Sequence, residues 1–361
     1  MKSALRRALP LYLTGLALAA ATVMAPPAGA APFPAAGTPI ISNDLTPNPT
    51  QRVAKPADDV AHPGSWVEWW YANIMDPNSH RQIIVTVMNA PVANVSVTYM
   101  YPDGKIPAAK PLEFSADVPP APADGKPGVR TKAGGFNYDK SRRAYHLKLT
   151  KPVALDIWFD GNPLPGVTGR VDINKRLNEW MGWTSPVASS TVHGTLKMPG
   201  KPAQNLSGWR GYHDHNWGNF TMVDQVADGW EWAAVHEPDG GASLLGGLVR
   251  AGGQWVGQIS DVRPSGTRIC TSSTLKLSNW TTTGTFPAPR KVVATCGPKE
   301  RYHFSKTFYA TDPAVVDSGL VAMTMEAPYN TGPGSFGMYE HVRTLTSRVT
   351  AAVRGPVKGG Q

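Results

Sequence analysis

Cysteine is scarce in this chain of 361 residues, which contains only Cys270 and Cys296. Two isolated thiols cannot complete a zinc site, and no CxxC or HExxH spacing supplies the missing ligands. In an oxidising compartment the same pair fits one disulfide between neighbouring strands. We therefore predict a structural disulfide and no metal site.

Clusters of positive charge are also missing, although the formal net charge is +9. Beyond the N-terminus the lysines and arginines are scattered and do not alternate with aromatic residues, which argues against a nucleic-acid partner. A basic exterior leaves association with an anionic cell surface possible. No GxxxxGK[ST] motif occurs, and Gly246-Gly247 and Gly252-Gly253 are interpreted as bulge or turn glycines.

Long apolar runs are absent except at the N-terminus. Residues 1–30 combine three early positive charges, the apolar run Leu9–Met24 and the small-residue site Ala28-Gly29-Ala30. This pattern predicts a secretory signal cleaved after about Ala30, and hence a secreted or periplasmic protein. No later stretch approaches the roughly 20 apolar residues that a membrane-spanning helix requires.

The rest of the chain has the pattern of a β protein. A Pro/Ala-rich arm is predicted over 31–61, followed by domains at 62–200 and 201–350 and a flexible tail at 351–361. Short β-branched runs separated by Pro, Gly, Asn and Asp predict antiparallel barrels rather than a parallel sheet. One short helix is predicted over Asn174–Trp183, and Lys110–Gly135 is predicted to be a long loop or cover.

Two aromatic blocks concentrate the candidate chemistry. In Trp66-Val-Glu-Trp-Trp-Tyr71, strand alternation gives two apolar faces interrupted by one carboxylate, Glu68, which predicts a strand covered on both sides. Glu68 is expected to form a strand-end ion pair or to have a raised pKa and a catalytic role.

The second block is Gly208-Trp-Arg-Gly-Tyr-His-Asp-His-Asn-Trp-Gly218. Its polar groups either hold and move a proton or form a buried network that fixes strand register. His213 and His215 project from one side of an extended strand and Asp214 from the other. The two histidines could bind a metal, but a third ligand at defined spacing is not evident, and His193 and His236 lack support as candidates.

These residues resemble a known family. The two blocks, with Met338-Tyr-Glu-His-Val-Arg343 near the end, are similar to the lipocalin-like carotenoid 1,2-hydratase (hydroxyneurosporene synthase) and AttH-type family. The resemblance runs from about Gly64 to Arg343. It implies two tandem lipocalin-like barrels, the second block opening the second barrel, and a cavity at their interface for an apolar isoprenoid or polyene. It also implies cofactor-free hydration of a terminal double bond or, as in related fungal enzymes, cyclisation.

The resemblance also implies site residues. His215 and Trp217 match catalytic positions of the hydratases. The tyrosine and aspartate that those enzymes carry further on have no counterpart in Gly241–Leu248, so Asp239 or Glu231 would have to supply the acid. The predicted catalytic set is Asp214, His215, Trp217 and Glu68. The predicted ligand-binding set is Trp66, Trp69, Trp70, Tyr71, Tyr212, His213, Asn216, Trp230 and Trp232.

Three functions remain open at this stage. A hydratase or cyclase predicts that the carboxyl of Asp214 or Glu68 lies nearly unpaired in a cavity. A non-catalytic carrier of a hydrophobic ligand predicts that Arg210, Arg250 or backbone donors saturate these carboxyls. A surface-associated stress or attachment protein predicts a filled interior and an exposed functional patch.

Overall fold

The computed structural model of the protein describes residues 51–79, 81–90, 93–104, 111–174, 178–220, 227–250, 254–283, 286–310, 316–317 and 321–344. The predicted signal, residues 31–50 of the predicted arm and the predicted tail lie outside these residues. Across the described part of the chain, no helix has the length and apolar character needed to cross a membrane.

The chain forms β-strands almost throughout, as the residue pattern predicts, and they assemble into two curled antiparallel sheets. The first sheet has 13 strands. They are β1 (Arg52–Val53), β2 (Val67–Met75), β3 (Gln82–Ala90), β4 (Asn94–Met100), β5 (Leu112–Ala116), β6 (Gly128–Thr131), β7 (Gly134–Asp139), β8 (Ala144–Leu149), β9 (Ala154–Leu164), β10 (Val167–Asn174), β11 (Glu179–Lys197), β12 (Gln204–Asn205) and β13 (Arg210–Asn219).

The second sheet has 10 strands. They are β14 (Ala227–His236), β15 (Ala242–Arg250), β16 (Gln254–Arg263), β17 (Gly266–Cys270), β18 (Ser273–Thr283), β19 (Phe286–Cys296), β20 (Ser305–Ala310), β21 (Val316–Asp317), β22 (Val321–Asn330) and β23 (Phe336–Thr344). A 3-10 turn at Pro56–Asp58 precedes β2.

Both sheets follow the same path. The first runs β5-β4-β3-β2-β13-β11-β9-β8-β7-β6, and the second runs β17-β16-β15-β14-β23-β22-β20-β19-β18. In each, four consecutive strands form a meander, and the last long strand returns to pair with the first. The first sheet therefore continues to Asn219, beyond the boundary predicted at 200/201. The second aromatic block closes this sheet, whereas the resemblance implied that it opens the second barrel.

Strand β2 is covered on both faces, as predicted. Trp70, Ala72 and Ile74 point into the core of the first sheet, where they are fully buried. Tyr71 and Met75 point the opposite way, into a cluster shared with the second sheet. Alternation of apolar residues on both faces is what a strand between two cores requires.

The cluster between the sheets joins β2 and β13 of the first to β14 and β23 of the second. Trp232 packs edge-on against Tyr71 and Tyr212, with ring centroids 5.7 and 5.3 Å away. Polar contacts also cross this boundary: Arg210 donates to the Gly240 carbonyl at 2.7 Å, and Ser189 Oγ lies 3.1 Å from His236 Nδ1. The two sheets therefore share a buried interface.

Two secondary-structure predictions are wrong. The helix predicted over Asn174–Trp183 is the end of β10 and the start of β11, because residues 180–184 pair with β13 on one side and with β10 on the other. The loop predicted over Lys110–Gly135 contains β5, β6 and the start of β7. Ladder hydrogen bonds and burial outweigh local propensity at both places.

The disulfide between Cys270 and Cys296 is confirmed, with Cα atoms 5.5 Å apart. The sequence predicted a disulfide between neighbouring strands, but the two strands that carry these cysteines are not hydrogen-bonded to each other. Cys270 ends β17, one end of the second sheet's order, and Cys296 ends β19, next to the other end. The bond therefore links β17, at one end of the curled sheet, to β19, the strand next to its other end.

Candidate functional site

The two aromatic blocks pair directly with each other. Strand β13 lies antiparallel to β2, with Trp217 opposite Glu68, His215 opposite Trp70 and Asp214 opposite Tyr71. Because side chains alternate along a strand, each block contributes to two faces of this strand pair. The inner face points into the first core, and the outer face points toward the second sheet.

The inner face carries a buried network of carboxylates and histidines. His213 Nε2 lies 3.1 Å from Asp59 Oδ2, and its Nδ1 lies 2.8 Å from the Tyr71 carbonyl. His215 sits between two acids, with Nδ1 3.2 Å from Asp59 Oδ1 and Nε2 3.1 Å from Glu68 Oε1. Asp59, Glu68, His213 and His215 are all at most 1% exposed. Buried charge of this kind persists only when it is paired.

The electrostatics of this network are mutually consistent. Burial opposes the ionisation of Asp59, but His213 and His215 outweigh it and bring the Asp59 pKa to about 2. Burial likewise opposes the ionisation of Glu68, and hydrogen bonds with His215 and His62 bring its pKa to about 2. Burial would lower the pKa of His215, whereas Asp59 and Glu68 raise it above its ordinary value. The geometry thus favours two carboxylates around an imidazolium.

Aromatic rings hold these imidazoles in place. Trp70 stacks on His215 at 4.1 Å between centroids, and Phe136 stacks on His213 at 4.4 Å. Trp217 lies 5.0 Å from His215 and stacks on His62 at 3.9 Å, with planes 2° apart. The structure therefore brings together three members of the predicted catalytic set: Glu68, His215 and Trp217.

The outer face carries Asp214, apart from the other three. Its Oδ2 accepts hydrogen bonds from Tyr212 Oη at 2.7 Å and from Trp183 Nε1 at 3.0 Å. Its Oδ1 accepts one from Asn216 Nδ2 at 2.9 Å. Burial raises the pKa of Asp214 to about 6, although these donors oppose the shift. The predicted catalytic set therefore belongs to two separate sites.

A second carboxyl, Glu340, lies on the same side as Asp214. Its Oε2 accepts a hydrogen bond from Trp230 Nε1 at 2.7 Å. Burial raises the pKa of Glu340, and the negative charge of Asp214 adds to this effect. Glu340 is partly buried and keeps part of its surface accessible.

Three partly buried tryptophans lie beside the cluster between the sheets. Trp69, Trp183 and Trp230 pack against the cluster between the sheets, and each keeps part of its surface accessible. Trp183 reaches across to β15, where a Cβ on Gly246 would lie only 2.6 Å from its ring. Gly246 therefore allows close approach of an indole, rather than forming the bulge or turn expected from the sequence.

The remaining predicted residues are dispersed. Trp70 and His213 belong to the inner face, whereas Tyr71, Tyr212, Asn216 and Trp232 belong to the outer one. Trp66 is 56% exposed at the edge of the block. Of the two substitutes for the missing acid, Asp239 pairs with Arg263 at 2.9 Å near the surface. Glu231 is buried on the opposite face of β14, bonded to Tyr339 and His341.

Sequence reasoning missed Asp59, His62, Trp183 and Glu340. Asp59 lay in the predicted surface arm, but its side chain is fully buried. Trp183 lay in the wrongly predicted helix. Glu340 lay in the third block of the resemblance without an assigned role, and an acid next to a buried-strand pattern was the available signal.

The carboxyls of Asp214 and Glu68 are both paired. Their partners are indole, phenol, amide and imidazole groups rather than Arg210, which contacts Ser189 and Gly240.

No family model and no curated protein matches the chain in sequence. In structure, the chain resembles a putative AttH from Nitrosomonas europaea, at 14% identity and a TM-score of 0.54, over 84% of this chain and 98% of that one. It resembles kievitone hydratase from Nectria haematococca, at 11% identity and a TM-score of 0.51, over 87% and 99%. It also resembles CghA bound to Sch210972, at 11% identity and a TM-score of 0.53, over 86% and 98%. At these identities the likeness establishes the lipocalin-like fold alone.

Proposed function

We propose that the protein binds an apolar unsaturated molecule, of isoprenoid or polyene type, between its two sheets and adds a proton to one of its double bonds. One observation carries the proposal. Two carboxyl groups, Asp214 and Glu340, are held by indole N–H donors within a cluster of tryptophan and tyrosine rings. Similar architecture in a hydratase gives supporting analogy.

The surroundings of the two carboxyls suit different roles. Asp214 accepts three hydrogen bonds, which stabilise its anion and suit a proton acceptor. Glu340 accepts one hydrogen bond, from Trp230, but its burial and the nearby charge of Asp214 favour its neutral form, which suits a proton donor. Two acids whose environments differ in this way are the usual basis for assigning acid and base.

The reaction that we propose uses only these groups and water. The Glu340 proton is added to one alkene carbon, and the adjacent carbon becomes a carbocation facing the Trp69, Trp183 and Trp230 rings, whose negative faces stabilise it. For hydration, a water oxygen forms a bond to the cation and its proton passes to Asp214. For cyclisation, a second double bond attacks the cation instead, which forms a carbon–carbon bond and a new cation, and this cation loses a neighbouring C–H proton to Asp214 to leave a double bond. Proton exchange through solvent then restores both carboxyls.

We further propose that this reaction occurs outside the cytoplasm. The N-terminal pattern predicts export, and the disulfide is consistent with an oxidising compartment. A substrate available there would be an exported or environmental lipid rather than a cytoplasmic intermediate.

A carrier function is the second candidate, because the Asp214 oxygens are already occupied by three donors. A fixed polar network of this kind can orient a ligand without reacting with it. Association with a cell surface rests only on the basic composition.

Mass spectrometry of small molecules extracted from the protein purified from its host distinguishes the candidates. Wild type, Glu340→Gln and Asp214→Asn are compared, with the exposed Asp124→Asn as control. We expect wild type and the control to hold a hydrated or cyclised product and Glu340→Gln to hold its precursor. Turnover of squalene in H2¹⁸O should fall by about 10²–10⁴-fold in Glu340→Gln.

The same unmodified apolar molecule in all four proteins would establish the carrier and reject catalysis. No bound molecule in any of them, with no turnover of squalene, would reject both.

A further inference from the structure

A second set of side chains, on the inner face, has the composition of a metal site. His62, Glu68 and His215 each offer one ligand atom, and these atoms all lie within 4.8 Å of one another. His62 Nδ1 lies 3.5 Å from Glu68 Oε1, and His215 Nε2 lies 3.1 Å from the same oxygen. The site is separate from Asp214 and Glu340, which lie on the outer face.

The two contacts with Glu68 match the spacing of ligand atoms in a coordination sphere. Zinc bonds of about 2.0–2.2 Å in tetrahedral geometry place neighbouring ligand atoms about 3.3 Å apart. Both measured contacts lie within 0.2 Å of that spacing. His62 Nδ1 is buried and makes only a long contact, of 3.5 Å, with Glu68 Oε1, so it has capacity for a stronger bond directed at the same place.

Outer contacts orient each ligand, as metal sites require. Asp59 Oδ1 lies 3.2 Å from His215 Nδ1, which gives the carboxylate–histidine–metal arrangement. Asn89 Nδ2 donates to Glu68 Oε2 at 2.8 Å and leaves Oε1 directed at the two histidines. Trp217 and Trp70 stack on His62 and His215 and restrict rotation of both rings.

Charge and access fit the same interpretation. Metal binding would replace the proton that His215 holds between Asp59 and Glu68, and a divalent cation would balance the two negative charges that these carboxylates bring into the interior. The His62 side chain is 30% exposed, so its ring reaches the surface although its Nδ1 is buried. Two imidazoles with one carboxylate suit zinc-type and iron-type ions, whereas Mg²⁺ and Ca²⁺ prefer oxygen ligands.

We propose that His62, Glu68 and His215 bind one divalent transition-metal ion. From the sequence, His213 and His215 were the candidate pair and no third ligand was evident. The set proposed here differs, because Glu68 is 147 residues from His215 and reaches it only through the pairing of β2 with β13. The ion would fasten the segment before β2 to the first sheet.

Titration with Co²⁺, followed by its visible absorption, tests the site in untagged protein previously stripped with EDTA. We expect one equivalent to bind wild type with a spectrum of four- or five-coordinate cobalt, Zn²⁺ to displace it, and Mg²⁺ to have no effect. His62→Gln should bind at least 10-fold more weakly. Asn89→Ala, which frees only the outer oxygen of Glu68, should lose up to about 10-fold.

His193→Gln is the matched control, because His193 is 50% exposed and pairs with Asp160 at 2.8 Å. Its affinity should equal that of wild type. Near-ultraviolet circular dichroism of each variant establishes that the fold persists. Failure of wild type to bind a stoichiometric equivalent would overturn the proposal, and so would equal affinity in a folded His62→Gln.

Discussion

The two sheets share one strand order but have different polar interiors. In the first, Asp59 and Glu68 surround His213 and His215 on the inner face of β2 and β13. In the second, the equivalent pair of strands, β14 and β23, holds Glu231, Tyr339 and His341. Both clusters are buried, and both lie where the first and last strands of a sheet meet.

The difference comes from a segment outside the first sheet's meander. Asp59 and His62 precede β2 and complete the first cluster, whereas the second cluster draws all its members from its two strands. The second sheet instead has a disulfide that joins β17 to β19. The same topology is thus supplemented in one sheet by buried polar side chains from a preceding segment, and in the other by a disulfide.

Removal of the buried Asp59 carboxylate should have the largest effect on stability. Asp59→Ala leaves His213 and His215 without their shared carboxylate, and loss of one partner of a buried ion pair costs about 3–5 kcal/mol. Urea unfolding in EDTA measures this loss. Asp58→Ala is the control, because Asp58 pairs with the half-exposed Arg52 and should cost at most about 1 kcal/mol. Equal losses in the two variants would refute the role of Asp59.

Removal of the disulfide should have the next largest effect on stability. The Cys270→Ser, Cys296→Ser double variant frees a loop with a sequence separation of 26 residues, for which chain entropy predicts a loss of about 3 kcal/mol. Hydrogen exchange should show the loss in β17–β19 and leave β2 and β13 protected. Equal loosening of both sheets would show that they unfold as one unit.

The second cluster should tolerate change better than the first. Glu231→Gln keeps the size of the side chain while removing the charge that faces Tyr339 and His341, so we expect a loss of about 1–3 kcal/mol. Thermal unfolding of this variant beside Asp59→Ala compares the clusters directly. A larger loss for Glu231→Gln would reverse the ranking.

The smallest effect concerns the boundary between the sheets and depends on pH. The pKa of Glu340 is raised by burial above its ordinary value of 4.5, so the folded state holds this proton more tightly than the unfolded state. The contribution of this bound proton to the stability of the folded state is fully present below about pH 4.5 and is lost as the pH rises through the folded-state pKa of Glu340. Glu340→Gln should match wild type at low pH and exceed its stability by about 1–2 kcal/mol at pH 8, a value reduced for partial solvent contact.

Urea unfolding between pH 4.5 and pH 8 measures this difference. Parallel pH profiles for wild type and Glu340→Gln would show that the carboxyl is ionised without cost in the folded protein.

The sequence predicted features that follow from local alternation. The all-β class, the two covered faces of β2 and the opposite orientations of His215 and Asp214 all follow from a period of two residues. The disulfide followed from the count of cysteines and the predicted compartment. Resemblance of the three aromatic blocks supplied the lipocalin-like architecture.

Features that depend on distant pairing could not be predicted. Asp59 reaches His213 across 154 residues, and the Pro/Ala composition before it gave no sign of burial. Trp183 looked helical until its pairing with β13 was known. Glu340 gains its surroundings from Trp230, which is 110 residues away. A single sequence indicates which face a residue occupies, but not which residue it meets there.

The return of β13 to β2, and of β23 to β14, places the beginning and the end of each sheet's sequence side by side. Because these two ends are adjacent, they could be joined and the chain could begin at another turn of the same sheet. New termini at the exposed turn between β7 and β8, with a short linker from β13 back to β2, would preserve the pairings among β2–β13. Circular permutation is therefore compatible with this architecture, and each sheet can be rearranged in chain order without being rearranged in space.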